Sequence, residues 1–571
     1  MTLITKRFLL CSAALALSGS LFGFAAYAAP TAPASKSHNV PGLAGALLAA
    51  RHANATADNV TATDYYARAL ELDPTNNALL WWSYSAAATA GKMDAAIAAA
   101  KRYYDSTERP FPLAGLLLAT GHYQKKEYDQ AWSYIDKVQS DSYLSFTLPM
   151  IRAWAQAARN TPDAALAELA PLQNTQGLGD LYHLMGGLLN EHFGRNEDAL
   201  IHYDALASKV ERQPLSVIRI VAGGYHRLGK SASVKQLLEK FNTQNASVGL
   251  SDMANALQDA SRFPKKVTLS DGMAETYFAI SQLLSQNGGN NNVTDVSIAF
   301  GQMALYLSPD LNIARWVLGS TLAMRGRYDE SSAVLTAIKK NDPSYLGAQF
   351  QIVDNLTALN QETDALAKLQ GMGREYPAMP EIQMAIANLH RKAEKFAEAI
   401  LAYDKAEQLY TAAKSDNWTL HYGRGVCYER TKQWPKAESD FMRALKLNPD
   451  QPDVLNYLGY SWIDRGENLT EARRLIELAY SKSPDNGFIV DSLGWAIYLT
   501  GDYKGAVSYL EKAVELEPAD PTLNEHLGDV YWKVGRKKEA RFQWQRALTL
   551  KPEAKQKVSL QAKLEQGLAQ K

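Results

Sequence analysis

Eight residues near the middle of the chain, Gly224-Tyr225-His226-Arg227-Leu228-Gly229-Lys230-Ser231, fit the spelling G-x-x-x-x-G-K-[ST]. In a phosphate-binding loop of that spelling, successive backbone N–H groups and the lysine cradle the phosphates of a nucleotide. The chemistry needs a parallel sheet around the loop and an acidic metal partner at the end of another strand. Val217 to Val221 could pass for one strand, but no second β-rich run is present to build the rest. Leu228-Gly229-Lys230 also copies Val534-Gly535-Arg536, which lies at a predicted turn between two helices. Nucleotide binding through residues 224–231 is therefore the remote alternative.

Other reactive constellations are missing from the spelling of the chain. There is no H-E-x-x-H, no C-x-x-C, no G-x-S-x-G and no S-x-x-K accompanied by a second motif. His390, His421 and His526 each stand singly on a predicted helix, where a packed or hydrogen-bonded histidine is expected rather than a metal ligand. Cys427 falls in a helix beside a close-packed glycine and is expected to be a buried structural thiol. The expectation is a protein without enzymatic activity, metal or cofactor.

Composition agrees with a binding protein. Lys plus Arg and Asp plus Glu both number 60 of 571 residues, which removes the broad electrostatic case for nucleic acid or an anionic membrane surface. Hydrophobic residues make up 46% and charged residues 21%, a globular, helix-rich profile. Lys6 and Arg7, the apolar stretch Phe8 to Phe24 and the small-x-small triplet Ala26-Tyr27-Ala28 read as an export signal over 1–28. Cys11 follows Leu10 too early in that stretch to be a lipid-attachment site. Beyond the signal no apolar run approaches the ~18–20 residues of a membrane span, and Cys427 has no partner for a disulfide.

The elements that would have to position any site declare themselves by period. Pro449, Pro484, Pro518 and Pro552 are separated by 35, 34 and 34 residues. Such spacing signals stacked helical hairpins. Leu458-Gly459, Leu493-Gly494 and Leu527-Gly528 recur in each first helix, with Gly425 one repeat earlier. Each second helix carries paired alanines: Ala437 and Ala444, Ala472 and Ala479, Ala506 and Ala513, Ala540 and Ala547. Two helices in a tight hairpin need residues without bulk where their axes come closest, with larger ones such as Phe441, Ile476, Leu510 and Trp544 alongside. Weaker copies of the pattern run upstream, through Leu318-Gly319 and Gly194-Ala199-Tyr203 to Ala62-Tyr66-Ala69-Pro74.

This pattern resembles the tetratricopeptide repeat family. Trp418, Gly425, Tyr428, Trp434, Ala437, Phe441, Ala444 and Pro449 fall on that family's preferred positions. The resemblance implies an all-α solenoid, a right-handed superhelix of antiparallel helix pairs, whose first helices line an inner groove. By register the groove positions are Tyr422, Asn456, Tyr460, Asp491, Trp495, Tyr498, Glu525, Asp529, Trp532 and Lys533. Aromatics with a few acids suit a peptide or helix of a partner protein. The stretches Tyr457-Leu458-Gly459-Tyr460-Ser461, Asp491-Ser492-Leu493-Gly494-Trp495 and His526-Leu527-Gly528-Asp529-Val530-Tyr531-Trp532 are further similar to a proteobacterial envelope adaptor of a carboxyl-terminal processing protease. That likeness implies a periplasmic role, associated with the outer membrane, in presenting peptidoglycan hydrolases. A general scaffold in envelope, polysaccharide or outer-membrane assembly is the alternative. The organisation expected is a signal at 1–28, a degenerate N-terminal array at 29–240, an irregular junction with a flexible Asn/Gly loop at 241–310, a C-terminal array at 311–552 and a capping helix at 553–571.

Overall fold

A computed structural model describes residues 42–139, 144–244, 253–286 and 291–568. The export-signal reading at 1–28 and the tip of the polar run, residues 287–290, lie outside the described residues. Among those described, every regular element is a helix, and consecutive helices pack as antiparallel pairs. The chain divides into two compact units, residues 1–361 and 362–571.

The C-terminal unit shows most directly how the sequence makes the pairs. Its first helices Trp418–Arg430, Pro452–Arg465, Gly487–Leu499 and Pro521–Lys533 begin at Asn417, Gln451, Asn486 and Asp520, whose side-chain oxygens each accept a first-turn backbone N–H. The second helices Trp434–Leu447, Leu469–Lys482, Tyr503–Leu516 and Lys537–Thr549 end two or three residues before the periodic prolines. Within each pair the glycine meets the expected large residue. A β-carbon on Gly425 would lie 2.7 Å from Phe441, one on Gly459 2.8 Å from Ile476 and from the Ala472 carbonyl, and one on Gly494 2.8 Å from Leu510. At Gly528 it would run into Trp544. All eight paired alanines are fully buried.

The N-terminal unit keeps the same period in its turns, as the C-terminal unit does at Lys432, Gly466, Gly501 and Gly535. Ala57, Gly91, Lys126, Asn160, Gly194 and Gly229, spaced by 34 or 35 residues, all take left-handed φ values of 60–74° at the turn inside a hairpin. After each, the next N–H returns to a carbonyl of the first helix's last turn, as from Lys92 to Ala87, Glu127 to His122 and Lys230 to Tyr225. That bond holds Lys126 and Asn160 in a backbone region that side chains disfavour.

The structure differs from the sequence reading at 241–310. Residues 269–307 are not a joint between halves but a long hairpin, Leu269–Gln286 and Asn291–Leu307, within the N-terminal unit. It packs against four successive first helices, Asn77–Thr89, Pro112–Gln124, Leu144–Ala158 and Gly179–His192. Met273, Tyr277, Ile280, Ile298, Phe300 and Met303 are buried there. Tyr277 and Thr120 hydroxyls hydrogen-bond at 2.9 Å, Tyr123 donates to the Leu269 carbonyl at 3.2 Å, and Arg219 pairs with Glu275. Gly272 lies flat against the Trp154 ring, where any β-carbon would collide. The polar composition of 287–292 misled because the residues on either side of it carry apolar core. The unit boundary falls instead at Gln361/Glu362.

These contacts predict opposite outcomes for two glycine-to-alanine changes in the C-terminal unit. Gly459→Ala forces a β-carbon onto a backbone carbonyl and should lower unfolding stability by about 1–3 kcal/mol. Gly371→Ala, in the Glu362–Glu375 helix with nothing closer than 3.8 Å, should raise it by about 0.5–1 kcal/mol. Urea titration followed by circular dichroism measures both, and equal effects would contradict the packing described.

Candidate functional site

The inner side of the C-terminal unit is built from the first helices, because their glycines turn the other side toward the second helices. Between four of them lies a cavity of about 690 Å³. The Pro452–Arg465 helix contributes Asn456, Tyr457, Tyr460, Ser461, Asp464 and Arg465, and the Gly487–Leu499 helix adds Phe488, Asp491 and Ser492. Glu429, Lys432 and Trp434 close one end, and Asp520, Thr522 and Leu523 the other.

The lining is aromatic and acidic. Tyr457 donates to Glu429 at 3.1 Å, and Trp434 donates through Nε1 to Glu467 at 3.1 Å. The Arg465 guanidinium lies 4.8 Å over the Trp434 ring and pairs with Glu467 at 3.0 Å. Burial raises the Tyr460 phenol above its usual range, and the carboxylates of Asp491, Asp464 and Glu525 push it further the same way. The Asn456 Oδ1 is buried and accepts no hydrogen bond.

Of the ten residues placed on the groove by register, the structure gathers Asn456, Tyr460 and Asp491 around this cavity. Tyr422 is packed between Trp418, Phe441 and Tyr457, and burial raises its phenol to about 12. Trp495 stacks on Tyr498 with centroids 4.6 Å apart and on His526 at 3.8 Å. Lys533 lies 5.6 Å over the Tyr503 ring.

Glu525, Asp529 and Trp532 are not open groove. The terminal helix Ala554–Gln566 lies over them. Lys563 donates to Glu525 at 2.6 Å and to Asp529 at 2.7 Å, Gln556 donates to Glu525 at 2.9 Å, and Gly567 sits against the Trp532 ring. Asp529 also accepts from Trp544 Nε1 at 2.9 Å. At these three positions the chain's own last helix takes the place a partner would need.

Register reasoning left out the other twelve lining residues, among them Glu429, Tyr457, Asp464 and Phe488. Glu429 and Asp464 sit in the last turn of their first helices, one residue out of register with each other, so acidity near a helix end was the one signal. The single histidines have acidic neighbours. His421 lies between Asp416 at 2.7 Å and Asp440 at 3.4 Å. His526 Nδ1 is 2.9 Å from Asp491 Oδ2. Cys427 is buried, and burial raises its thiol to about 11.

The phosphate-loop spelling has no such geometry. Gly224 and Tyr225 are inside the helix Leu215–Arg227, and Gly224 is pressed against the Tyr203 ring. The Lys230 N–H is spent on the Tyr225 carbonyl at 2.7 Å, so the backbone forms a helix-ending turn instead of an open anion cradle.

The family model for the tetratricopeptide repeat matches residues 384–452, 433–487 and 493–555, and this stretch carries tetratricopeptide repeats. The TPR repeat-containing protein PA4667 of Pseudomonas aeruginosa is 30% identical over 191 residues. The match covers 32% of this chain and 31% of that protein, so the chain spans about a third of the curated relative's length. Among solved structures, the Cut9–Hcn1 hetero-tetramer of the APC/C aligns over 93% of this chain and 97% of that one, at 13% identity and a TM-score of 0.40. YrrB, described as a TPR protein with an unusual peptide-binding site, aligns over 34% of this chain and 97% of its own, at 19% identity and a TM-score of 0.27.

The buried His526–Asp491 pair predicts a pH dependence. Burial alone would lower His526, but Asp491, with Asp529 and Glu525 behind it, outweighs that and holds it above its ordinary 6.5. A raised histidine contributes stability that is complete below pH 6.5 and is lost as the pH rises through the folded value. Urea unfolding of the intact chain should therefore weaken as the pH rises from 6.5 towards 9. Asp491→Asn should flatten that slope and cost about 3 kcal/mol at pH 6. An unchanged slope in the variant would show that His526 is not the titrating group.

Proposed function

We propose that this chain, whose residues 384–555 carry tetratricopeptide repeats, is a non-catalytic scaffold of the bacterial cell envelope that holds a partner protein by a segment seated in the cavity around Asn456, Tyr460 and Asp491. One observation carries the reading. In the N-terminal unit the inner side of the first helices is filled by the 269–307 hairpin, whereas in the C-terminal unit about 690 Å³ stays unfilled between four successive first helices. Hydrophobic burial drives a chain to fill such space unless something else is to occupy it. The aromatic walls Tyr457, Tyr460 and Phe488 supply anchoring area, and the polar groups among them supply orientation.

The envelope address rests on Lys6-Arg7, the apolar stretch that follows and the Ala26-Tyr27-Ala28 triplet. Among the described residues no helix is long and apolar enough to cross a membrane. The partner we favour is a carboxyl-terminal processing protease, with peptidoglycan hydrolases presented to it as substrates. The support is the likeness of the Tyr457–Ser461, Asp491–Trp495 and His526–Trp532 stretches to such an adaptor.

Cross-linked affinity capture with the tagged full chain from an envelope fraction, alongside Tyr460→Ala, tests this. A processing protease or cell-wall hydrolase should be enriched and fall about tenfold in the variant, the scale of one interface anchor, with helical content unchanged. Assembly components captured in the same Tyr460-dependent way would keep the scaffold and replace the partner. Equal capture by both proteins would remove the cavity from the function.

A further inference from the structure

We propose that the segment seated in this cavity presents a lysine or arginine side chain, held by Asp464, Glu429 and Asn456. This inference rests on the docking reading above and specifies the partner's chemistry. Four carboxylates line the cavity, Glu429, Asp464, Asp491 and Asp520, against two cations, Lys432 and Arg465. Arg465 is committed to Glu467 and the Trp434 ring, and Lys432 is exposed at the rim. Asp491 is matched by His526, and Asp520 caps its own helix by accepting from Thr522 and Leu523 N–H. Asp464 is left without an ion-pair partner among the described residues, and Glu429 is met only by a tyrosine hydroxyl.

The unmet hydrogen-bonding capacity has the same sign. Asn456 Oδ1 is a buried acceptor with no donor, and an orphan of that kind calls for an occupant that donates. A guanidinium or ammonium donates several hydrogen bonds and accepts none. Its aliphatic stem fits beside Tyr457 and Tyr460, whose ring faces attract the charge. A segment ending in a free carboxylate, or carrying an acid at this point, would instead bring a like charge among carboxylates and leave Asn456 unpaired. About 690 Å³ exceeds one side chain, so neighbouring residues of the partner enter too.

Panning a displayed library of random dodecapeptides on the full-length protein tests this. The control proteins are the double variant Glu429→Gln/Asp464→Asn, and Tyr460→Ala, each checked for unchanged circular dichroism. Enrichment of peptides with a lysine or arginine at one position is expected. Synthetic copies should bind the double variant about tenfold more weakly, the scale of a hydrogen bond to a charged group, and replacing that residue by glutamine should cost the same in wild type and little in the double variant. Enriched peptides lacking a basic residue, yet lost with Tyr460→Ala, would overturn the cation preference and leave the docking reading standing. Peptides that bind Tyr460→Ala as well as wild type, or no enrichment at all, would overturn both.

Discussion

The close approach of two helix axes inside each hairpin is the constraint from which the rest follows. A glycine in the first helix and alanines in the second let the backbones draw together until Phe441, Ile476, Leu510 or Trp544 packs directly on the glycine's α-carbon. That contact fixes the rotation of the first helix about its axis. Once Gly459 must face Ile476, Asn456 and Tyr460 are committed to the other side. The inner surface is therefore a by-product of hairpin packing, and its chemistry is free to vary because packing does not depend on it.

This separation explains what could be read from the sequence. Steric requirements repeat, so they leave periodic marks, and the Leu-Gly pairs, the alanines and the prolines of residues 418–552 spell out each hairpin. In the N-terminal unit the marks that persist are turn conformations, and Lys126 and Asn160 adopt the left-handed geometry without advertising it as glycine would. Register places Glu525, Asp529 and Trp532 on the inner side. It does not say that Lys563, 34 residues beyond Asp529 and 38 beyond Glu525, returns to pair with both. Glu429 and Asp464 were legible only as acids at the ends of helices, a common placement that points to no cavity by itself.

The hairpin at 269–307 shows the same limit at larger scale. The run 287–292 has the composition of a linker, while Met273, Tyr277, Ile298 and Phe300 on either side of it form part of the core of the N-terminal unit. Composition read in short windows separates what tertiary structure joins. The two units thus treat their first helices differently. One covers them with a hairpin from the same chain, and the other leaves between them a space bordered by carboxylates and tyrosine rings.

That covering hairpin also sets the order in which the protein can become folded. Contacts in the C-terminal unit run between hairpins adjacent in sequence, so each can form as soon as its neighbour has. The N-terminal unit closes over much longer distances: Thr120 waits for Tyr277, 157 residues later, and the Thr89 carbonyl for Arg327, 238 residues later. Until the 269–307 region has followed them, the helices between Asn77 and His192 keep their inner faces bare. The repeats that come first in the chain are thus among the last to be covered.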